Sequence, residues 1–358
     1  MAELLTFSRE TYNEEIKNFL DKNYAPLTQY DFYGNWQKAV GRDVYEFSIR
    51  NSAGELVLYS QAISIPAGLK KKFLYCPYGP IISKKISENP VKLTELLNFL
   101  NEKISTFLRE IDHSFLRLDF TPNIDNFAQN SPNLTLKRAP KWSEGGSFFQ
   151  PRLETALNLS KGVDDLYSEI DSKNRYAIRL AERKGIKIEI ILENFLTHFE
   201  TFYQMIKDTA DRNSFNLHSK KYYLEIFKDL DKRKNGRLVL AKVDETIATC
   251  LVFVDFNKTT MFLLGASLTE LNKKVPTSHL AHWKNIEFAK KSGLEIYNFG
   301  GISKEKSRSD SLSGVTMFKR RFGGYEIKHS DYYDLVVDKI GYRIFLFKKW
   351  LRWLKNLI

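Results

Sequence analysis

The chain has 358 residues, 43% of them hydrophobic and 14% aromatic, enough for two domains with packed cores and too much for a disordered chain. Lysine and arginine number 55 against 43 acidic residues, a formal charge of +12 that favours anionic partners such as nucleic acid, nucleotide-linked substrates or a membrane surface. The only cysteines, Cys76 and Cys250, are far apart, which argues against a disulfide framework and a structural zinc site. Neither a secretory signal at the N-terminus nor an apolar run of membrane-spanning length is expected, so the expected location is the cytoplasm.

In chain order, residues 9–20 and 28–40 read as short amphipathic helices. Gly41-Arg42 opens a set of strands: Val44 to Ile49, Glu55 to Ile65, and Phe73 to Ile82, the last interrupted by Pro77-Tyr78-Gly79-Pro80. A helix from Val91 to Glu110 follows, with Leu93, Leu96, Leu97, Leu100, Ile104 and Phe107 on one side. A short strand from Phe115 to Phe120 carries Asp119. Thr121 to Gly146, rich in Pro, Asn and Ser, reads as a linker, and residues 161–184 as a helical pair with Gly185 as its C-terminal cap. The cations at the end of that pair, Arg175, Arg179, Arg183 and Lys184, suit either a ligand or the helix dipole.

The second half repeats the order of the first. Gly236-Arg237 opens strands at Leu238 to Val243, Ile247 to Phe256 and Thr260 to Gly265; a helix from Ser278 to Ser292 and a strand from Glu295 to Phe299 follow. This predicts a duplicated α/β unit. The segment from Tyr297 to Tyr325 then stands out. Its strand breaks at Gly300-Gly301, a polar loop follows, and Phe318-Lys319-Arg320-Arg321-Phe322 closes on Gly323-Gly324. Three cations between two aromatics suit an anionic partner with apolar parts; a β-hairpin with a solvated basic face is the alternative. His279 and His282 share a helix face without a nearby carboxylate and read as surface or capping residues. The phosphate-loop, dinucleotide-loop, zinc-protease and nucleophile-elbow motifs are absent. The tail, Ile344 to Ile358, is a basic amphipathic helix with Trp350 and Trp353, suited to a bilayer interface or to docking on its own protein.

Taken together, Gly-Arg before a strand set, PYGPII, the Asp119 strand end, RYAIRLAERKG, LLGAS and NFGGI…GVTMFKRRFGG resemble the FemABX family, from about Tyr30 to Tyr342. Members of that family are peptidyltransferases that attach amino acids from aminoacyl-tRNA to peptidoglycan precursors. The resemblance implies an α/β fold of mixed sheets in two tandem acetyltransferase-like (GNAT-like) domains without a coiled-coil arm. The domains would be 1–145 with 326–358, and 146–325. It implies that Lys319, beside Phe318, contacts a precursor phosphate and the reacting carbonyl, with Arg320 next to it. It further implies that Arg212 contacts a phosphate, that Asp119 is the first domain's functional carboxylate, and that Gln37 with Lys38 and Phe262 line the substrate sites. Tyr33 stands where tryptophan is commoner, and Phe262-Leu263 where tyrosine is common.

The implied chemistry is aminolysis of an activated ester, with Asp119 taking, relaying or merely positioning for the amine proton and Lys319 stabilising the oxyanion. No cofactor is expected; aminoacyl-tRNA is the co-substrate and a nucleotide- or lipid-linked muropeptide the acceptor. The chain is expected to act as a monomer, in the cytoplasm or peripherally at the inner membrane face through its C-terminal helix. Two other readings stay open. One is an acyl-CoA-dependent N-acyltransferase, although Lys273 to Thr277 stands where a glycine-rich pyrophosphate loop belongs. The other is a non-catalytic protein that binds tRNA or a membrane surface on the same fold.

Overall fold

The computed structural model describes residues 4–130, 136–143, 149–213, 217–303 and 313–355. They form two compact units, Met1–Gln150 with His329–Ile358 and Pro151–Lys328. Each is built on one mixed sheet.

In the first unit, Val44–Arg50, Leu56–Gly68 and Lys71–Cys76 form an antiparallel meander. The helix Pro90–Glu110 then returns the chain to His113–Leu118, which lies parallel to Lys71–Cys76. Asn89 caps the helix by accepting from the Val91 and Lys92 amides, and Pro90 occupies the first turn, where its missing N–H costs nothing. Leu93, Leu96, Leu97, Leu100, Ile104, Phe107 and Leu108 form the buried stripe, as a period near 3.6 requires. Beyond His113–Leu118 the sheet is extended by Tyr333–Val336, antiparallel, and then by Lys137–Arg138. Thr6–Arg9 forms the other edge. The segment read as a linker is therefore part of this unit: besides the Lys137–Arg138 strand it holds the short helix Asp125–Gln129. There Asp125, 5% exposed, accepts from Ser330, the Asp331 amide and Tyr333.

The C-terminal helix Lys339–Lys355 packs on the same sheet. The Phe345 ring lies 5.0 Å from those of Phe73 and Phe115, and Gly341 is pressed against Ser114, where a Cβ would come within 2.0 Å of the hydroxyl. Beside this contact Arg117 is fully buried and forks onto Asp334, its register partner on the next strand, at 2.8 and 2.7 Å.

The second unit has the same order: the meander Gly236–Val243, Thr246–Phe256 and Thr259–Ser267, the helix Thr277–Lys291, then the parallel strand Ile296–Ile302. Leu153–Asn158 pairs antiparallel beyond it, Tyr325–Lys328 follows at one edge, and Lys187–Ile191 forms the other. The duplication is one of architecture. The two Gly-Arg pairs are not equivalent: Gly41, at φ +81°, turns the chain before its strand, whereas Gly236 lies inside one against Leu230. Arg237 is buried and grips both oxygens of Asp255, while Arg42 donates to Gln37.

Three local expectations are corrected. Residues 6–9 are a strand, so the first helix begins only at Glu14, where Asn13 caps it. The Ile296–Ile302 strand runs through Gly300-Gly301 instead of breaking there. The block Phe318-Lys319-Arg320 closes a helix, Ser313–Arg320, and is not half of a hairpin. Phe318 and Phe322, four apart, turn to the same core, and Gly323 and Gly324, at φ +84° and +83°, end the helix.

Candidate functional site

The second unit's site starts from a gap in its sheet. Ile296–Ile302 pairs with Thr259–Ser267 only from Ile296 to Asn298, against Thr259 to Met261. Each strand carries an irregularity at that level. The ladder to Leu153–Asn158 shifts between Asn298 and Gly300, and the ladder to Thr246–Phe256 shifts between Val252 and Phe253, leaving Leu263 as the extra residue. Bulges of this kind end pairing and re-aim side chains. The first is held by Asn298, whose Oδ1 accepts from the Gly300 amide at 2.6 Å while its amide nitrogen donates to Glu154 at 3.1 Å. Gly300 takes φ +73°, and a Cβ there would stand 3.9 Å from the Lys319 nitrogen.

Lys319 comes into this place from the Ser313–Arg320 helix. Its Nζ donates to the Gly301 carbonyl at 2.7 Å and lies 5.9 Å from the centre of the Phe262 ring. The side chain is 8% exposed. Burial pushes its pKa down to about 8, and the Glu154 carboxylate offsets part of that effect. An ammonium has three N–H donors, and the Gly301 oxygen is its one acceptor among the described residues. The arrangement therefore presents a largely dry cation with donors that no other described residue takes, suited to an oxyanion or a phosphate oxygen.

Phe318 packs edge-on against His279 at 4.8 Å and lies 5.3 Å from Phe322, which fixes the helix that carries Lys319. The histidines are not surface residues. His282 is 2% exposed, bonded at Nδ1 to the Tyr297 hydroxyl at 2.8 Å, and wedged among Phe262, Phe299 and Phe318. Burial first, then the neighbouring Lys319 and His279, hold it well below the usual imidazole range. Burial and Arg321 lower His279 to about 4. Both rings are neutral at physiological pH and add no charge beside the lysine. Arg320 is engaged by Glu326 at 2.8 Å. Phe262 packs on Phe253 and His282. Arg212 falls on the helix Phe199–Asn213; its side chain lies outside the described residues, as do 304–312 of the polar loop.

The remaining candidates belong to the first unit. Asp119 follows His113–Leu118, is 0% exposed, and accepts from Tyr75 at 3.1 Å. The same Tyr75 hydroxyl accepts from the Gln150 amide at 3.1 Å. Gln37 is 1% exposed with its carbonyl oxygen taken by Arg42, whereas Lys38 is half exposed, 3.8 Å from Glu46. The Tyr33 hydroxyl accepts from the Gln150 side chain at 3.2 Å. Glu154, Asn298 and His282 were not among the candidates. Only the histidine carried a signal, its i, i+3 relation to His279 on one helix.

A family model described as the FemAB family matches residues 11–247 and 241–349. The aminoacyltransferase FemA of Staphylococcus epidermidis is 21% identical, with 93% of this chain and 96% of its own length covered. That alignment spans 415 positions against the 358 residues present here, so the relative carries insertions that this chain lacks. The lipid II:glycine glycyltransferase of Staphylococcus haemolyticus is 19% identical over 55% of this chain and 61% of its own. Among solved structures, that of FemX aligns with a TM-score of 0.79 at 17% identity, covering 96% of this chain and 99% of that one. A tandem GNAT protein from the clavulanic acid pathway aligns with a TM-score of 0.51 at 9% identity, covering 92% and 98%. At such identities the structures speak to the fold alone.

Proposed function

The chain belongs to the FemAB family, and from that premise we propose that it is an aminoacyltransferase of peptidoglycan cross-bridge synthesis, moving an amino acid from aminoacyl-tRNA to the stem peptide of a precursor. The donor is the charged tRNA, and no further cofactor enters the reaction. The acceptor amine attacks the ester carbonyl, forms a C–N bond and gives up one proton. The C–O bond to the tRNA ribose breaks, and the ribose oxygen leaves protonated. Because the ester is already activated, the protein's work is to orient both substrates and to stabilise the tetrahedral oxyanion.

The observation that carries the reading is the Lys319 ammonium, 8% exposed, set where two strands part company and bonded, among the described residues, to a single carbonyl. A desolvated cation acts more strongly on developing negative charge than one in water. We assign Lys319 to the oxyanion or to an adjoining precursor phosphate, and Phe318 to holding its helix. Arg212 and Arg320 are assigned to phosphate, and Lys38, Gln37 and Phe262 to lining the substrate sites. Asp119, enclosed and bonded to Tyr75, receives a positioning role through that tyrosine. The basic surface suits the tRNA backbone, so donor binding should weaken steeply with salt. The protein acts as a monomer, with the acceptor presented at the inner face of the membrane.

The test is Lys319→Ala. Transfer from the cognate charged tRNA should fall by orders of magnitude with the circular dichroism spectrum unchanged; turnover at the wild-type level overturns the assignment.

A further inference from the structure

The C-terminal helix is packed the wrong way round for a helix in water. At 100° per residue, Gly341, Phe345, Lys349 and Arg352 share one side, and Ile340, Phe347, Trp350 and Leu351 gather on the other. The first side meets the protein: Phe345 is 4% exposed, and the Lys349 ammonium lies 4.4 Å from the centre of the Phe149 ring. The second is left outside, with Ile340 69%, Phe347 59%, Leu351 42% and Trp350 40% exposed, and Trp353 on its margin at 41%. A docked terminal helix in water turns its apolar stripe inward and its charges outward. Here much of the apolar stripe faces out. Exposed apolar surface of this extent marks a face that something else covers.

The charges identify the cover. Residues 339–355 include Lys339, Arg343, Lys348, Lys349, Arg352 and Lys355 and no acidic residue. Lys339 and Arg343 are exposed on or beside the stripe, and among the described residues neither is in an ion pair. A second copy of this chain would press the same cations against one another across a two-fold axis, with nothing on the helix to answer them. A surface of anionic lipid headgroups answers Lys339 and Arg343, while tryptophan and phenylalanine settle at the headgroup level and leucine and isoleucine reach the acyl chains.

We propose that the outward face of the Lys339–Lys355 helix seats this protein in the interface of an anionic phospholipid bilayer. The helix lies in the plane of the surface; among the described residues none is long and apolar enough to cross a membrane. The inference concerns binding alone and does not depend on which reaction the protein performs.

The experiment is co-sedimentation of the full chain with vesicles of phosphatidylcholine, with and without phosphatidylglycerol, at low and high salt. Two variants accompany it, Phe347→Asp/Leu351→Asp and Lys339→Glu/Arg343→Glu. All four positions are exposed, so both should keep the wild-type circular dichroism spectrum. Deleting the tail after Arg343 is a poorer test, because it would also remove Phe345 from the sheet. The expected result is binding to the phosphatidylglycerol vesicles that weakens with salt and falls about tenfold or more in each variant. Absence of wild-type binding, or binding that both variants retain, overturns the proposal. So does a wild-type dimer in sedimentation velocity that Phe347→Asp/Leu351→Asp dissolves without any vesicle binding, which would give the face to a second copy. Capture of an acidic protein in place of lipid likewise overturns it.

Discussion

The Nζ of Lys319 donates to the carbonyl oxygen of Gly301 at 2.7 Å, from a helix to a strand that has just left its parallel neighbour. The contact depends on features of both segments. Gly300 at φ +73° and the Asn298 side chain hold the strand's irregularity, and Phe318 and Phe322 anchor the helix. A buried lysine with one hydrogen bond among the described residues is unfavourable for stability, which makes its presence informative about function.

Removing that charge should stabilise the fold. The lysine's folded pKa of about 8 lies below its ordinary 10.5, so between these values the unfolded chain binds the extra proton. The contribution is therefore a penalty below about pH 8 that is relieved as pH rises towards 10.5. Lys319→Met loses the bond to Gly301 as well, so the net gain at pH 7 is of order 1–2 kcal/mol. Urea denaturation at pH 7 and pH 10.5 checks this: the variant's advantage should shrink with pH, and an advantage independent of pH would contradict the burial argument.

The same pKa shapes the rate. If the protonated lysine is the working form, kcat/KM should rise with pH as the acceptor amine deprotonates and then turn down near pH 8, where Lys319 loses its proton. Lys319→Arg, charged throughout, should lack the descending limb whatever activity it keeps. A limb of unchanged position in that variant would assign it to another group.

Gly324 and Gly185 both have positive φ but differ in surroundings. A Cβ on Gly324 would stand 2.1 Å from the Ala156 carbonyl oxygen, whereas Gly185 has nothing within 4 Å. Gly185→Ala should cost about 1 kcal/mol from backbone strain alone, and Gly324→Ala about 2 kcal/mol or more, since the backbone must also move. Thermal or urea unfolding of the pair separates the two contributions.

Acetyl-CoA should not bind. Between Thr259–Ser267 and the Thr277–Lys291 helix the chain forms the short helix Thr269–Lys274 and then Val275-Pro276, with no glycine-rich run to cradle a pyrophosphate. Calorimetric titration should give only heats of dilution; a saturable isotherm would favour an acyl-CoA-dependent enzyme.

Much of the architecture was legible because it is local. The alternation in Val44–Arg50 and Leu56–Gly68 and the leucine stripe of Pro90–Glu110 specify a meander and a returning helix, and the second half repeats them. Long-range pairing was not. Nothing in Tyr333–Val336 announces that Asp334 will meet Arg117, and Leu153–Asn158 becomes a central strand only because Ile296–Ile302 and Tyr325–Lys328 flank it. For the basic run from Lys319 to Arg321 a solvated hairpin face stood as the alternative to an anionic site; the aromatics on either side draw the lysine inward. His282 was undervalued because its partner, Tyr297, comes from a different element. The amphipathic tail was plain in the sequence; which of its sides docks is decided by Gly341 and Phe345.

Aminoacyl transfer is tested most directly by incubating the protein with a mixture of charged tRNAs and, separately, nucleotide-linked and lipid-linked muropeptides, then weighing the products. The expected result is a precursor heavier by one or more amino-acid residues, formed only with charged tRNA and lost in Lys319→Ala. A precursor of unchanged mass with every charged tRNA, from protein that still binds tRNA, would contradict it.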